Sequence, residues 1–150
     1  MYTHILVPHD GSDTANNALQ EAIRLARSEG GSLRIIYVAD SATYLWDAEF
    51  TPIDLKQIQE SVRRFAQGVL ERAQHAARDA GIEAQTRFIE IDRLGQRVAT
   101  MIVAEAREWP ADLIIIGTHG RRGLDHLLMG SVAEGVVRTA PVPVLLVRGK

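Results

Sequence analysis

The residues with the clearest chemical potential are Gly117-Thr118-His119-Gly120, followed nine residues later by Gly130-Ser131. They come directly after the apolar run Leu113-Ile114-Ile115-Ile116 and directly before Val132 to Arg138, which reads as a short helix. A buried strand, a glycine loop and a helix start, in that order, form an anion site. The glycines are expected to reach φ > 0 and to let the backbone approach a ligand closely. The helix start supplies N–H groups without intrahelical partners and the positive end of a macrodipole. The ligand this predicts is a nucleotide phosphate. Arg121 and Arg122, inside the loop, are available to neutralise it, with backbone amides or a metal ion as alternatives.

Plainer readings stand beside this one. Glycines also punctuate ordinary turns. Ser131-Val132-Ala133-Glu134 matches a capping box, in which serine and glutamate satisfy the first helical N–H groups. A phosphate can take the cap's place, although Glu134 on the same turn does not favour an anion. There is no G-x-x-x-x-G-K-[ST] and no lysine near the loop, since Lys56 and Lys150 are the only lysines; a P-loop NTPase is excluded. Gly117-x-x-Gly120-x-x-Gly123 is not the dinucleotide fingerprint G-x-G-x-x-G.

Asp10, in Pro8-His9-Asp10-Gly11-Ser12, fits turn and N-cap chemistry. It also fits a carboxylate that accepts from a ribose or adenine donor, or that holds a metal. His119 could reach a ligand or face solvent. The five histidines show no H-x-x-x-H spacing, there is no G-x-S-x-G elbow, and the absence of cysteine removes disulfides, thiolate metal sites and a cysteine nucleophile.

These residues need a scaffold, and the apolar pattern supplies one. Short apolar runs at Ile5–Val7, Leu33–Val38, Ala84–Ile89, Leu113–Ile116 and Val142–Val147 read as strands. Between them lie helical stretches: Asp13 to Ser28, capped by Ser12 and stopped by Gly30-Gly31; Pro52 or Ile53 to Ala80, closed by Gly81; and Gln96 to Trp109, ended by Pro110. Gly135 interrupts the short helix after Ser131 and costs about 1 kcal/mol against alanine. Tyr44, Trp46 and Phe50 fall in a connecting segment, 39–51, with no clear period. Strand–helix alternation predicts an α/β fold with a largely parallel sheet and helices on both faces. Ligands of such sheets bind beyond the C-terminal strand ends, where the strand order reverses.

At 150 residues the chain reads as one domain, 1–150, with 46% hydrophobic and 24% charged residues. A net charge of -2 and a pI near 6.2 argue against a nucleic-acid or membrane-surface binder. No run approaches the ~20 apolar residues of a membrane span, and the N-terminus carries no signal-peptide pattern. The expected compartment is the cytoplasm.

Taken together, the residues resemble the universal stress protein family over almost the whole chain. Ile5-Leu6-Val7-Pro8-His9-Asp10-Gly11-Ser12 is similar to that family's opening strand and loop. Ala111-Asp112-Leu113 through Gly117-Thr-His-Gly120-Arg-Arg-Gly-Leu, Gly130-Ser131-Val132 and Ala140-Pro141-Val142-Pro143-Val144 continue the likeness. The family's ATP-binding signature, G-x2-G-x9-G-[ST], is satisfied without a gap. The resemblance implies five parallel strands in the order 3-2-1-4-5. It implies that Pro8 and Asp10, with His9 between them, border adenine and ribose. Val38 would bond the adenine edge through its backbone, and Ile116 would pack on the base. Gly117, Gly120 and Gly130 would admit ribose and phosphates, and Ser131 and Val132 would offer N–H groups. It further implies ATP, or ADP or AMP, accompanied by magnesium or manganese, and a homodimer paired through Val142–Val147, an apolar edge that would otherwise invite aggregation.

The function expected is a dimeric, nucleotide-dependent stress-response regulator or sensor acting on an unknown protein partner. The alternatives are a slow ATP hydrolase or phosphotransferase, and an interaction scaffold of the same fold without nucleotide.

Overall fold

The computed structural model describes residues 1–41, 55–120 and 129–149. Along them run β1 (His4–Pro8), α1 (Asp13–Glu29), β2 (Ser32–Asp40), α2 (Leu55–Asp79), β3 (Ala84–Ile91), α3 (Val98–Glu108), β4 (Leu113–Gly117), α4 (Ser131–Thr139) and β5 (Val144–Val147). The strands form one parallel sheet in the order β3-β2-β1-β4-β5. The expected fold class and strand order are therefore observed.

Alternation along each strand sends side chains to two separate cores. Val7, Ile35 and Ile115 pack under α1 and α2 with Leu19 and Val69. Leu6, Ile36 and Ile114 pack under α3 and α4 with Ile102 and Val136. Every residue of β4 is buried, as a strand covered on both faces requires. The chain builds β1 to β3 outward on one side, then returns to lay β4 on the other flank of β1. The order thus reverses between β1 and β4.

Several boundaries differ from the sequence reading. β2 runs to Asp40 because β3 continues beside it, with Asp40 opposite Ile91, so Val38 lies within the strand. α3 begins at Val98 rather than Gln96, because Arg97 is extended at φ -118 and ψ 148. β5 begins at Val144, after Pro143, which has no N–H to contribute to the ladder. Ser12 caps α1 by accepting from Ala15 N at 3.2 Å, and Gly30 closes it in the left-handed region at φ 67, both as expected. Tyr44, Trp46, Phe50, Arg121, Arg122 and the expected start of the long helix at Pro52 or Ile53 lie outside the described residues.

Gly135 has a packing reason that the sequence did not show. A Cβ there would stand 2.7 Å from the Ala99 Cβ on α3, so glycine lets α3 and α4 approach. Beyond Ala99, α3 carries a buried carboxylate. Glu105, 2% exposed, accepts from Arg34 Nη1 on β2 at 2.7 Å and from Arg87 Nη1 on β3 at 2.6 Å. This pins the helix to two strands at once.

Candidate functional site

β1 ends at Pro8 and its neighbour β4 at Gly117, and their continuations diverge to opposite faces of the sheet. A cleft of about 800 Å³ opens there, lined by the ends of β1, β2 and β4 and by the first turns of α3 and α4. Of the residues expected at a site, it brings together Pro8, His9, Asp10, Val38, Ile116 and Gly117 from the strand ends. From the loop and α4 it adds His119, Gly120, Gly130, Ser131 and Val132.

The first loop is braced by its own side chains. His9 N–H donates to the Ile36 carbonyl at 2.8 Å, prolonging the β1–β2 ladder. The His9 ring is buried, and its Nδ1 accepts from Gly11 N at 3.0 Å. The neutral ring therefore carries its proton on Nε2, which lies 3.1 Å from Asn16 Oδ1 on α1. Burial lowers the His9 pKa below its ordinary 6.5, more than the Asn16 hydrogen bond and the Asp10 charge raise it. Asp10 Oδ1 accepts from Ser12 N at 3.0 Å, the turn chemistry its sequence suggested.

Gly117, Gly120 and Gly130 correct one expectation. None takes a left-handed φ; Gly130 sits at φ -73 and ψ 159. What each needs is the missing Cβ. At Gly117 it would meet Thr14 Oγ1 at 2.9 Å, at Gly120 Asp10 Oδ2 at 2.7 Å, and at Gly130 the Thr118 carbonyl at 3.2 Å. The β4 loop is thus laid tightly on the first turn of α1 and on the Asp10 loop. The Thr14 hydroxyl donates to the His119 carbonyl across this contact. Buried Thr118 ties the loop inward: its N–H donates to Val147 O at 2.9 Å and its carbonyl accepts from Gly130 N at 2.6 Å.

The capping box is also corrected. Gly130, not Ser131, is the N-cap of α4, and no side chain caps this terminus. Ser131 is already helical, one residue too late to satisfy the early amides. The first N–H groups of α4 therefore face the cleft end of the helix without a side-chain acceptor.

Val38 lies within β2, and its backbone groups have a definite direction. In a parallel strand N–H and C=O of alternate residues point to the same neighbour. Ser32 N donates to Thr3 O and the Ile36 carbonyl accepts from His9 N, both on the β1 side. The polar groups of Val38 point the same way, past the end of β1 and into the cleft.

Sequence reasoning missed Asp40, Gln96 and Arg97, which line the same cleft. Arg97 precedes α3, is exposed, and its side chain makes no cap bond. The available signal was Gly95, whose φ of 89 turns the chain ahead of the helix. Among the described residues no three metal-ligating side chains converge, and no helix is long and apolar enough to cross a membrane.

A family model described as the universal stress protein family matches residues 1–148. The chain belongs to this family. A universal stress protein of Methanocaldococcus jannaschii is 33% identical over 148 residues, covering 99% of this chain and 83% of the relative. A universal stress protein structure from Burkholderia pseudomallei is similar at a TM-score of 0.78 and 34% identity, covering 97% of this chain and 96% of that one. A universal stress protein from Archaeoglobus fulgidus in complex with dAMP is similar at a TM-score of 0.67 and 26% identity, covering 97% and 98%. For this universal stress protein chain, the strand order places the reversal point at the cleft, where the glycine loop and the α4 terminus meet.

Proposed function

We propose that this universal stress protein binds ATP in the cleft and acts as a nucleotide-dependent regulator. The observation that carries the reading is the N-terminus of α4. It has no side-chain cap, follows a glycine-tightened loop, and opens into a cleft of about 800 Å³ at the reversal of strand order. Phosphates would accept from the Ser131 and Val132 N–H groups, with the Ser131 hydroxyl as an added donor. Arg97, and Arg121 and Arg122 from the sequence, supply positive charge. Adenine would lie between Ile116 and the backbone edge of Val38, with ribose at Pro8 and Asp10. The dAMP complex of the Archaeoglobus fulgidus relative supports an adenine nucleotide as the ligand class.

The donor set fits magnesium or manganese only as a companion of the triphosphate, because no three ligating side chains converge among the described residues. One domain, working in the cytoplasm as a homodimer paired through β5, completes the proposal. Leu145 on that strand is 37% exposed and Val137 on α4 is 45% exposed, an apolar edge suited to a second copy. ATP would bind one arrangement of the loop better and so bias a surface that a protein partner reads.

Calorimetric titration of nucleotide-stripped protein with ATP and magnesium tests the reading, with AMP and a Gly130→Val variant as controls. Micromolar ATP binding that is lost in Gly130→Val is expected. No heat at millimolar ATP with the fold intact would leave an interaction scaffold, and steady phosphate release would turn the site into a slow hydrolase.

A further inference from the structure

His9 lines the cleft, yet its ring is committed to the protein itself. It is 5% exposed and packs toward α1 and α2, where Asn16 and Arg72 lie. Both ring nitrogens are engaged, Nε2 as a donor to Asn16 and Nδ1 as an acceptor from Gly11 N. A second proton could enter only at Nδ1, where it would oppose the Gly11 N–H and remove that hydrogen bond. Gly11 cannot easily shift. It holds φ 86, and a Cβ on it would stand 3.1 Å from Val69 and 3.3 Å from Phe65.

The next residue passes the constraint on. Ser12 N donates to Asp10 Oδ1, and Ser12 Oγ caps α1. The other carboxylate oxygen of Asp10 fills the space that a Cβ on Gly120 would need. A chain of contacts therefore runs from the His9 ring through Gly11 and Ser12 to Asp10, and from Asp10 to the glycine loop.

We propose that His9 is a positioning residue: its unprotonated Nδ1, by holding Gly11, keeps Asp10 seated against Gly120, and ATP binding requires that state. The proposal rests on the nucleotide reading of the cleft. The charged groups that face the ring are Asp10 on its own loop, which favours protonation, and Arg72 on α2, which opposes it. α1 contributes the neutral Asn16 side chain, and β2 contributes the Ile36 carbonyl to the backbone N–H. Burial, aided by Arg72, outweighs Asn16 and Asp10 and lowers the ring's pKa. The cleft is thus competent at neutral pH and loses competence on acidification.

Two measurements test this. In ¹⁵N-edited spectra of the free protein, His9 should be the Nε2–H tautomer, and the Gly11 amide should titrate with the ring's midpoint. ATP affinity should then fall by up to tenfold per pH unit below that midpoint, while His9→Asn, whose amide oxygen can replace Nδ1, shows a profile at least threefold flatter. The ligand's own titration is common to both proteins. A Gly11 amide that ignores the ring, or identical affinity profiles, would overturn the proposal. Absence of ATP binding at every pH would overturn the nucleotide reading and the linkage with it, whereas co-titration of Gly11 would still support the ring–backbone contact.

Discussion

Gly120 and Asp10 show how closely the two loops of the cleft are fitted. With 2.7 Å between the would-be Cβ and a carboxylate oxygen, any side chain at Gly120 must displace Asp10. Gly120→Val should weaken ATP binding at least tenfold in calorimetry while leaving the circular dichroism spectrum unchanged. A second carboxylate shapes the response to acid. Burial pushes Asp112 up, but hydrogen bonds from Thr3 N, His4 N and the Thr3 hydroxyl hold it below its ordinary 3.8. A depressed folded-state pKa adds stability above the unfolded value and loses it as pH falls through the folded one. Asp112→Asn should therefore melt lower at neutral pH, and its melting temperature should drop less than the wild type's between about pH 5 and pH 2. At this scale, the Ser12 cap was legible because its hydroxyl has one good use before Asp13. The Ser131 cap was misread because S-x-x-E fits two helix registers, and the extended backbone of Gly130 selects the earlier start, with Ser131 already in the helix.

Elements were legible wherever burial imposed a period. The stripe Ala15, Ala18, Leu19, Ala22 and Ile23 places α1, and Leu113–Ile116 places β4. Strand ends were not, because pairing with a neighbour decides them: β2 gains Ala39 and Asp40 only because β3 extends alongside. Glu105 was invisible for a different reason. It shares a helix face with Ile102 and Ala106, and a lone acid in an apolar stripe carries no mark of its two distant arginines. Glu105→Ala should destabilise the protein by about 1–3 kcal/mol in urea denaturation, because Arg34 and Arg87 lose their shared partner but keep solvent contact and their bonds to Gln85 and Glu108. Gly135→Ala sets two effects against each other. Helix propensity favours alanine by about 1 kcal/mol. A 2.7 Å approach to Ala99 amounts to overpacking, which costs about 1–3 kcal/mol. The expected outcome is a net loss of stability, read as a lower urea midpoint at unchanged m-value.

For the whole molecule, apolar runs and helical stripes carried the α/β class, but the order in which strands lie side by side leaves no trace in periodicity. It came from the family resemblance, and the sheet matches it. The cleft is the product of that order, although the glycines between Ile116 and Ser131 already marked its β4 side in the sequence. If β5 pairs with a second copy, sedimentation should give a dimer for the wild type and at least tenfold weaker association for Leu145→Arg, which places like charges across a two-fold axis. The triad of Arg34, Arg87 and Glu105 bears on the molecule's history. Losing Glu105 deprives two arginines of their shared partner, and losing both arginines strands a buried carboxylate, whereas exchanging all three for well-packed apolar residues is close to neutral. Descendants of this chain would therefore cross between the ionic and apolar versions only by near-simultaneous change, and in aligned relatives the three positions should switch as a block.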